Sequence, residues 1–421
     1  MKHPTLDDSW RWATSACAAV FVAALAPVAA AQAATQATAA PQDRTANWPN
    51  WRGPNHDGVS RAKGLADQGK PEPLWFTNVG NGYSCASIVD GKLYTIGHDP
   101  EKQRDTVFCL DAKTGFDVWT YDFPSATMAR MHGGGSQSTV TVDGDAVFVT
   151  NREGKSFCLD AAAGTLRWTR DLAKDHGLRV SRWGFSASPY LLGNRVIVNA
   201  DRTLALDKKT GKTLWKTKNY GDSYATPSVV EVDGHPCLAV FNATGLILLD
   251  PDSGAELAVH DWNMRRGVNA ATPVSIGNKL FISSGYNKGG AMLEASTDKL
   301  KLLWESKVMR TQMSGCVLFE NHLYGFDEST MKCLDLDGNV QWAKRGYGKG
   351  AFMIADGKLV ILSSRGDLVI AEAKPTGFRE LSRTHVLDDG VYWTSPTVWN
   401  GLIYCRNSLG DLVCIDHRES K

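Results

Sequence analysis

Eight short segments of this chain, the first Asn81-Gly82-Tyr83, concentrate cationic, aromatic and amide side chains. The others carry Arg130 and His132; Arg179, Arg182 and Trp183; Tyr224; Arg265, Arg266 and Asn269; Arg310 and Gln312; Lys349; and Tyr392 with Trp393. Arginine presents a planar fork of donors and stacks on flat faces, so these residues, if gathered, suit an anionic or planar small ligand, or a protein partner. Plain solvation of loops would use the same side chains. Other chemistry has less support. The His residues show neither His-x-x-x-His nor Cys-x-x-Cys-His spacing, which argues against a preformed zinc site or a covalent c-type haem. No Gly-x-Ser-x-Gly elbow is present. Gly133-Gly134-Gly135-Ser136 lacks the lysine and helix of a phosphate-cradling loop. No catalytic residue and no metal ligand is assigned.

A repeat must position these segments. Ala205 to Trp215 reads ALDKKTGKTLW, and its spacing of acid, glycine and aromatic recurs at Asp111, Gly115 and Trp119 and at Asp160, Gly164 and Trp168. Asp250, Gly254 and Ala258 keep the spacing without the Trp. Looser copies end at Trp304, Trp342 and Leu381, and the last starts at Cys414-Ile415-Asp416 and stops. Asp111, Asp160, Asp207, Asp250, Asp335 and Asp416 suit carboxylates that accept backbone N–H bonds inside a turn, rather than a ring of catalytic acids. Trp75, Trp119, Trp168, Trp215, Trp304 and Trp342 suit wedges between neighbouring units, because one small sheet cannot bury its own face. A hairpin signal precedes each cassette, as in Val89-Asp90-Gly91, Val142-Asp143-Gly144 and Trp399-Asn400-Gly401. The expected fold is all-β, an eight-bladed β-propeller of four-stranded antiparallel blades. The strand around Trp75 is expected to complete the C-terminal blade.

The 421 residues fit one such ring, with 40 Gly for turns and 14 Trp for packing. Lys and Arg total 46 against 45 Asp and Glu, so no global field draws in nucleic acid. Lys2 and Arg11, an Ala/Val-rich run from Cys17 and the Ala31-Gln32-Ala33 pattern mark residues 1–33 as a signal peptide. Residues 34–46 read as a flexible linker and 47–421 as the propeller with an N-terminal strap, in a periplasmic or secreted protein with no transmembrane segment after signal removal. Cys109, Cys158, Cys333 and Cys414 fill one slot in four blades, too far apart for bridges, and read as small buried hydrophobes. Trp48 to Gly58 forms a stiff strap expected to pack on the ring's surface.

Asp207-Lys208-Lys209-Thr210-Gly211-Lys212-Thr213-Leu214-Trp215 resembles the tryptophan docking motif of pyrroloquinoline quinone (PQQ) propeller repeats, and the strap resembles the N-terminal signature of bacterial secreted PQQ-like proteins. The resemblance runs from about Trp48 onward and implies eight blades. It allows two activities. One branch is similar to the outer-membrane assembly factor BamB, a non-catalytic scaffold. The other comprises quinoprotein dehydrogenases of alcohols or sugars, which hold PQQ and calcium or a lanthanide in the funnel. Those enzymes use an adjacent-cysteine disulfide, and this chain has no Cys-Cys pair. The expected function is non-catalytic binding or scaffolding, without cofactor, with PQQ-dependent oxidation as the alternative.

Overall fold

A computed structural model of the chain describes residues 47–69, 71–128, 133–264 and 266–418. The expected signal peptide and linker, Arg130, His132 and Arg265 lie outside the described residues. Eight sheets follow one another as blades one to eight: 87–124, 141–171, 190–216, 228–261, 274–306, 317–345, 351–385 and 397–416. Blades one to seven are each a continuous antiparallel four-stranded meander. The eighth takes its outermost strand, Glu72–Asn78, from the other end of the chain, pairing Trp75 with Cys414. The architecture is therefore the expected eight-bladed β-propeller, closed by the N-terminal strand. The seventh sheet gains one short parallel strand, Val59–Ser60, on its innermost edge.

Middle strands are buried on both faces, as in Gly245–Leu249, while outermost strands such as Asp117–Pro124 are largely exposed. The reason is that each blade packs against a neighbour on either side. All eight hydrophobic clusters straddle two adjacent blades, one cluster to each interface.

Six of these interfaces share one device. The indole N–H of Trp75, Trp119, Trp168, Trp215, Trp304 and Trp342 donates to a backbone carbonyl of the next blade, at Ala112, Ala161, Lys208, Pro251, Leu336 and Lys374 respectively. In the first five the ring also lies over a cassette glycine. A Cβ on Gly164 would sit 2.5 Å from the Trp119 ring, and one on Gly254 would sit 2.4 Å from Trp215. Where Ala258 replaces the Trp, the facing cassette of blade five (Glu294-Ala295-Ser296) has no glycine, so wedge and recess are lost together.

The cassette acids sit in the turns. Asp111, Asp160, Asp207, Asp250, Asp335 and Asp416 each accept at least one backbone N–H two to four residues downstream. All eight cysteines of the described residues are free and buried, and burial pushes the Cys85 thiol up to about 11 and Cys414 to about 12.

The last seam has an additional lock. Arg406 of blade eight donates to the carbonyls of Gly80, Ser84 and Ile96 and to the Thr95 hydroxyl, all at 2.8–2.9 Å. With no carboxylate beside it, burial draws the guanidinium down to about 10.

Two glycines with similar backbones separate packing from conformation. Gly164 (φ 69°) faces Trp119, whereas Gly234 (φ 77°) has open space where a Cβ would go. Gly164→Ala is expected to cost about 2–4 kcal/mol and Gly234→Ala about 1 kcal/mol in urea denaturation. Equal losses would show that the indole does not need the recess.

Candidate functional site

The segments ahead of the innermost strands converge on a cavity of about 360 Å³. Tyr83 comes from blade one, Gln137 from two, Trp183, Ser186 and Ser188 from three, and Tyr224 and Thr226 from four. Val268 and Ala270 come from blade five, Gln312 and Met313 from six, Lys349 from seven and Trp393 from eight. Gly285 and Tyr286 enter from a turn inside blade five. A Cβ on Gly285 would lie 2.1 Å from Gln312 Cγ, so only glycine lets that side chain pass. Tyr286 adopts a left-handed backbone (φ 52°), a strained state for an aromatic residue and one often kept where function needs it.

Six of the sixteen described lining residues are aromatic. Tyr83 and Trp393 stack with centroids 5.5 Å apart, and Trp183 meets Tyr224 edge-on at 5.5 Å. No Asp, Glu, His or Cys is among the described residues that line the cavity. Lys349 Nζ bridges Gln312 Oε1 at 3.0 Å and Glu328 Oε2 at 2.7 Å. Ser186 donates to Gln137 Oε1 at 2.6 Å. Burial raises the Tyr224 phenol and pushes Tyr83 up to about 12, so both stay neutral at ordinary pH. Two guanidiniums cover wall rings from the rim: Arg182 over Trp183 and Arg266 over Tyr286, each 5.1 Å from the ring centre.

The floor is the N-terminal strap. Trp48 bridges to Ile88 in blade one, Pro49 accepts from Val142 in blade two, and His56 packs on Tyr190 of blade three at 4.3 Å. Trp51 Nε1 donates to Thr272 beside blade five at 3.0 Å, Arg52 donates to Cys316 O beside blade six at 2.7 Å, and Gly58 O accepts from Ile354 in blade seven. The strap thus crosses the ring's axis instead of lying on its surface, and Trp51 joins the cavity lining.

Of the expected site residues, Trp183, Tyr224, Gln312, Lys349 and Trp393 come together in the lining, with Arg182 and Arg266 at the rim. Arg179 is drawn to Asp222 at 2.5 Å. Arg310 forms a two-pronged pair with Asp327 at 2.6 and 2.9 Å, which raises its proton affinity. Asn269 is fully buried, donating to Asn242 O and accepting from Ser284 Oγ. The Tyr392 hydroxyl points inward to the carbonyls of residues 387–389. Trp51 and Tyr286 are lining residues that the repeat pattern does not mark.

A sequence model of the family described as outer membrane protein assembly factor BamB matches residues 103–344. The chain belongs to that family. The outer membrane protein assembly factor BamB of Moranella endobia (strain PCIT) is 23% identical over 316 residues, spanning 70% of this chain and 78% of the relative. Among solved structures, BamB from Moraxella catarrhalis superposes with TM-score 0.62 at 17% identity, covering 84% of this chain and 100% of the other. A europium-containing methanol dehydrogenase superposes with TM-score 0.66 at 11% identity, covering 89% and 98%. Likeness at such identities speaks for the fold alone.

The metal of the dehydrogenase branch does not suit the described lining: calcium takes oxygen ligands, chiefly carboxylates, and no carboxylate is among the described lining residues. Lys349 is engaged by Glu328 and Gln312.

The strap carries an acid-sensitive group. His56 Nδ1 is buried without a hydrogen-bond partner among the described residues, and burial draws the imidazole down to about 4. The folded value lies below the usual 6.5, so the unfolded chain binds more protons between those values and stability falls as pH drops through that window. A loss of about 2 kcal/mol between pH 7 and pH 4 is expected from this group. His56→Phe should flatten that part of the profile in urea denaturation at several pH values. An unchanged slope would assign the acid response to other groups.

Proposed function

We propose that the chain is a non-catalytic binding and scaffolding propeller of the cell envelope, exported to the periplasm or beyond, which takes its partner or ligand at the funnel mouth. The carrying observation is the cavity itself, a funnel with six aromatic rings, with no carboxylate, imidazole or thiol among the described lining residues, and with a floor made by the strap. Such a lining supplies contact area and orientation but no side chain with ordinary proton affinity near neutrality, which favours recognition over acid–base chemistry. Family membership supports the same role, since the relatives are described as assembly factors. Among the described residues no helix is long and apolar enough to cross a membrane.

Pull-down from the native envelope with Arg182→Ala/Arg266→Ala tests the mouth. Capture of the partner should fall at least about tenfold while thermal stability stays nearly constant, because both side chains are exposed. A large loss of stability would make the two arginines structural and overturn their binding role. For the oxidoreductase alternative, PQQ and calcium added to the purified chain should give neither a saturable absorbance change nor dye reduction with alcohols or sugars. Turnover would replace the scaffold reading.

A further inference from the structure

Outside the funnel lining, three side chains around blade one form a line of hydroxyl, imidazole and carboxylate. His98 and Asp105 are cross-strand partners in the second and third strands of that blade, Lys92–Asp99 and Arg104–Asp111, so both stand on one face of the sheet. Both are fully buried. Thr127 follows the outermost strand, Asp117–Pro124, and is half-buried. His98 Nδ1 lies 2.8 Å from Asp105 Oδ1, and His98 Nε2 lies 2.6 Å from Thr127 Oγ1.

Neighbouring bonds fix which atom carries each proton. Gln103, in the turn between the two strands, donates from Nε2 to Pro100 O at 2.6 Å and accepts from the Thr127 N–H at 2.7 Å through Oε1. Its amide is thereby oriented, and Nε2 also donates to Thr127 Oγ1 at 2.6 Å. With that oxygen accepting from Gln103, the threonine proton points to His98 Nε2, which in a neutral imidazole leaves the Nδ1–H for Asp105. Ser136 Oγ donates to the other carboxylate oxygen at 3.2 Å. The Arg152 nitrogen 3.4 Å from His98 Nδ1 is too distant to displace the carboxylate.

Hydroxyl, then base, then an acid that orients the base is the arrangement that makes a nucleophile of an ordinary alcohol. Two backbone features surround it. Gln103 is held in left-handed backbone (φ 52°), a strained state for a residue with a side chain. A Cβ on Gly134 would lie 3.0 Å from Thr127 Cγ2 and 3.3 Å from Met128 N, so a residue without a side chain is what packs so closely on the threonine.

We propose that Thr127 is a nucleophile that takes an acyl group from an activated ester, a single covalent loading that goes beyond the binding role. Thr127 Oγ1 attacks the ester carbonyl carbon and passes its proton to His98 Nε2. The new C–O bond forms at Oγ1 as the ester's own C–O bond breaks, and the departing oxygen takes the proton from His98 to leave as an alcohol or phenol. Asp105 stabilises the imidazolium between the two transfers. The product is a threonine ester.

Mixing the purified chain with p-nitrophenyl acetate tests this assignment. A burst of nitrophenol of one equivalent per chain should appear, and peptide mass spectrometry should place the acetyl group on Thr127. Thr127→Val should abolish the burst, and Thr127→Ser should keep it. His98→Gln should slow the loading at least about hundredfold, and Gln103→Leu, a change at an exposed side chain, should slow it about tenfold. Should His98→Gln fail to fold, the rate of Gln103→Leu decides. The proposal is overturned if no burst appears, if the acetyl group sits only on other residues, or if Gln103→Leu, folded like the parent chain by circular dichroism, loads Thr127 at the parent rate.

Discussion

No blade of this propeller owns a hydrophobic core. Every cluster is shared between two neighbours, so each sheet depends on the next and an unclosed array would leave two apolar faces bare. The seam between blades eight and one consequently carries several kinds of contact. Glu72–Asn78 pairs along Asp411–Asp416, the indole of Trp75 and the hydroxyl of Tyr404 both donate to Ala112 O, and Arg406 holds four acceptors near the start of the ring. Loss of that arginine would take a donor from the buried carbonyls of Ser84 and Ile96 and from the half-buried carbonyl of Gly80, a cost wherever no other donor replaces it.

Much of this architecture was legible in the residues because it rests on local signals. Two-residue hairpin turns and the Asp–Gly–Trp spacing act within a dozen residues, and they gave the blade number and the missing strand directly. The site was legible only in part. Segments ahead of the innermost strands supply most of the described lining, yet which side chain of a segment turns to the cavity is set by the local backbone. Trp393 therefore lines the cavity while the adjacent Tyr392 turns inward to backbone carbonyls. Trp51, read in the sequence only as part of a packing strap, and Tyr286 join the lining for another reason. One lies in a strap outside the repeat and the other in a turn of only one blade, so nothing periodic marks them.

Charge is distributed on the same economical plan. A chain with nearly equal numbers of acids and bases pairs Arg179, Arg310 and Lys349 locally. Arg182 and Arg266 lie on rings of the funnel wall, so any recognition there would act at short range rather than through a field over the whole molecule.

The strap beneath Trp51 has a kinetic consequence. With the axis crossed from below, entry and exit share one doorway, so release must retrace arrival. On the proposed binding role, a protein seated over that doorway would imprison whatever already lies inside and bar whatever does not, so a small guest would have to enter before the partner and leave after it.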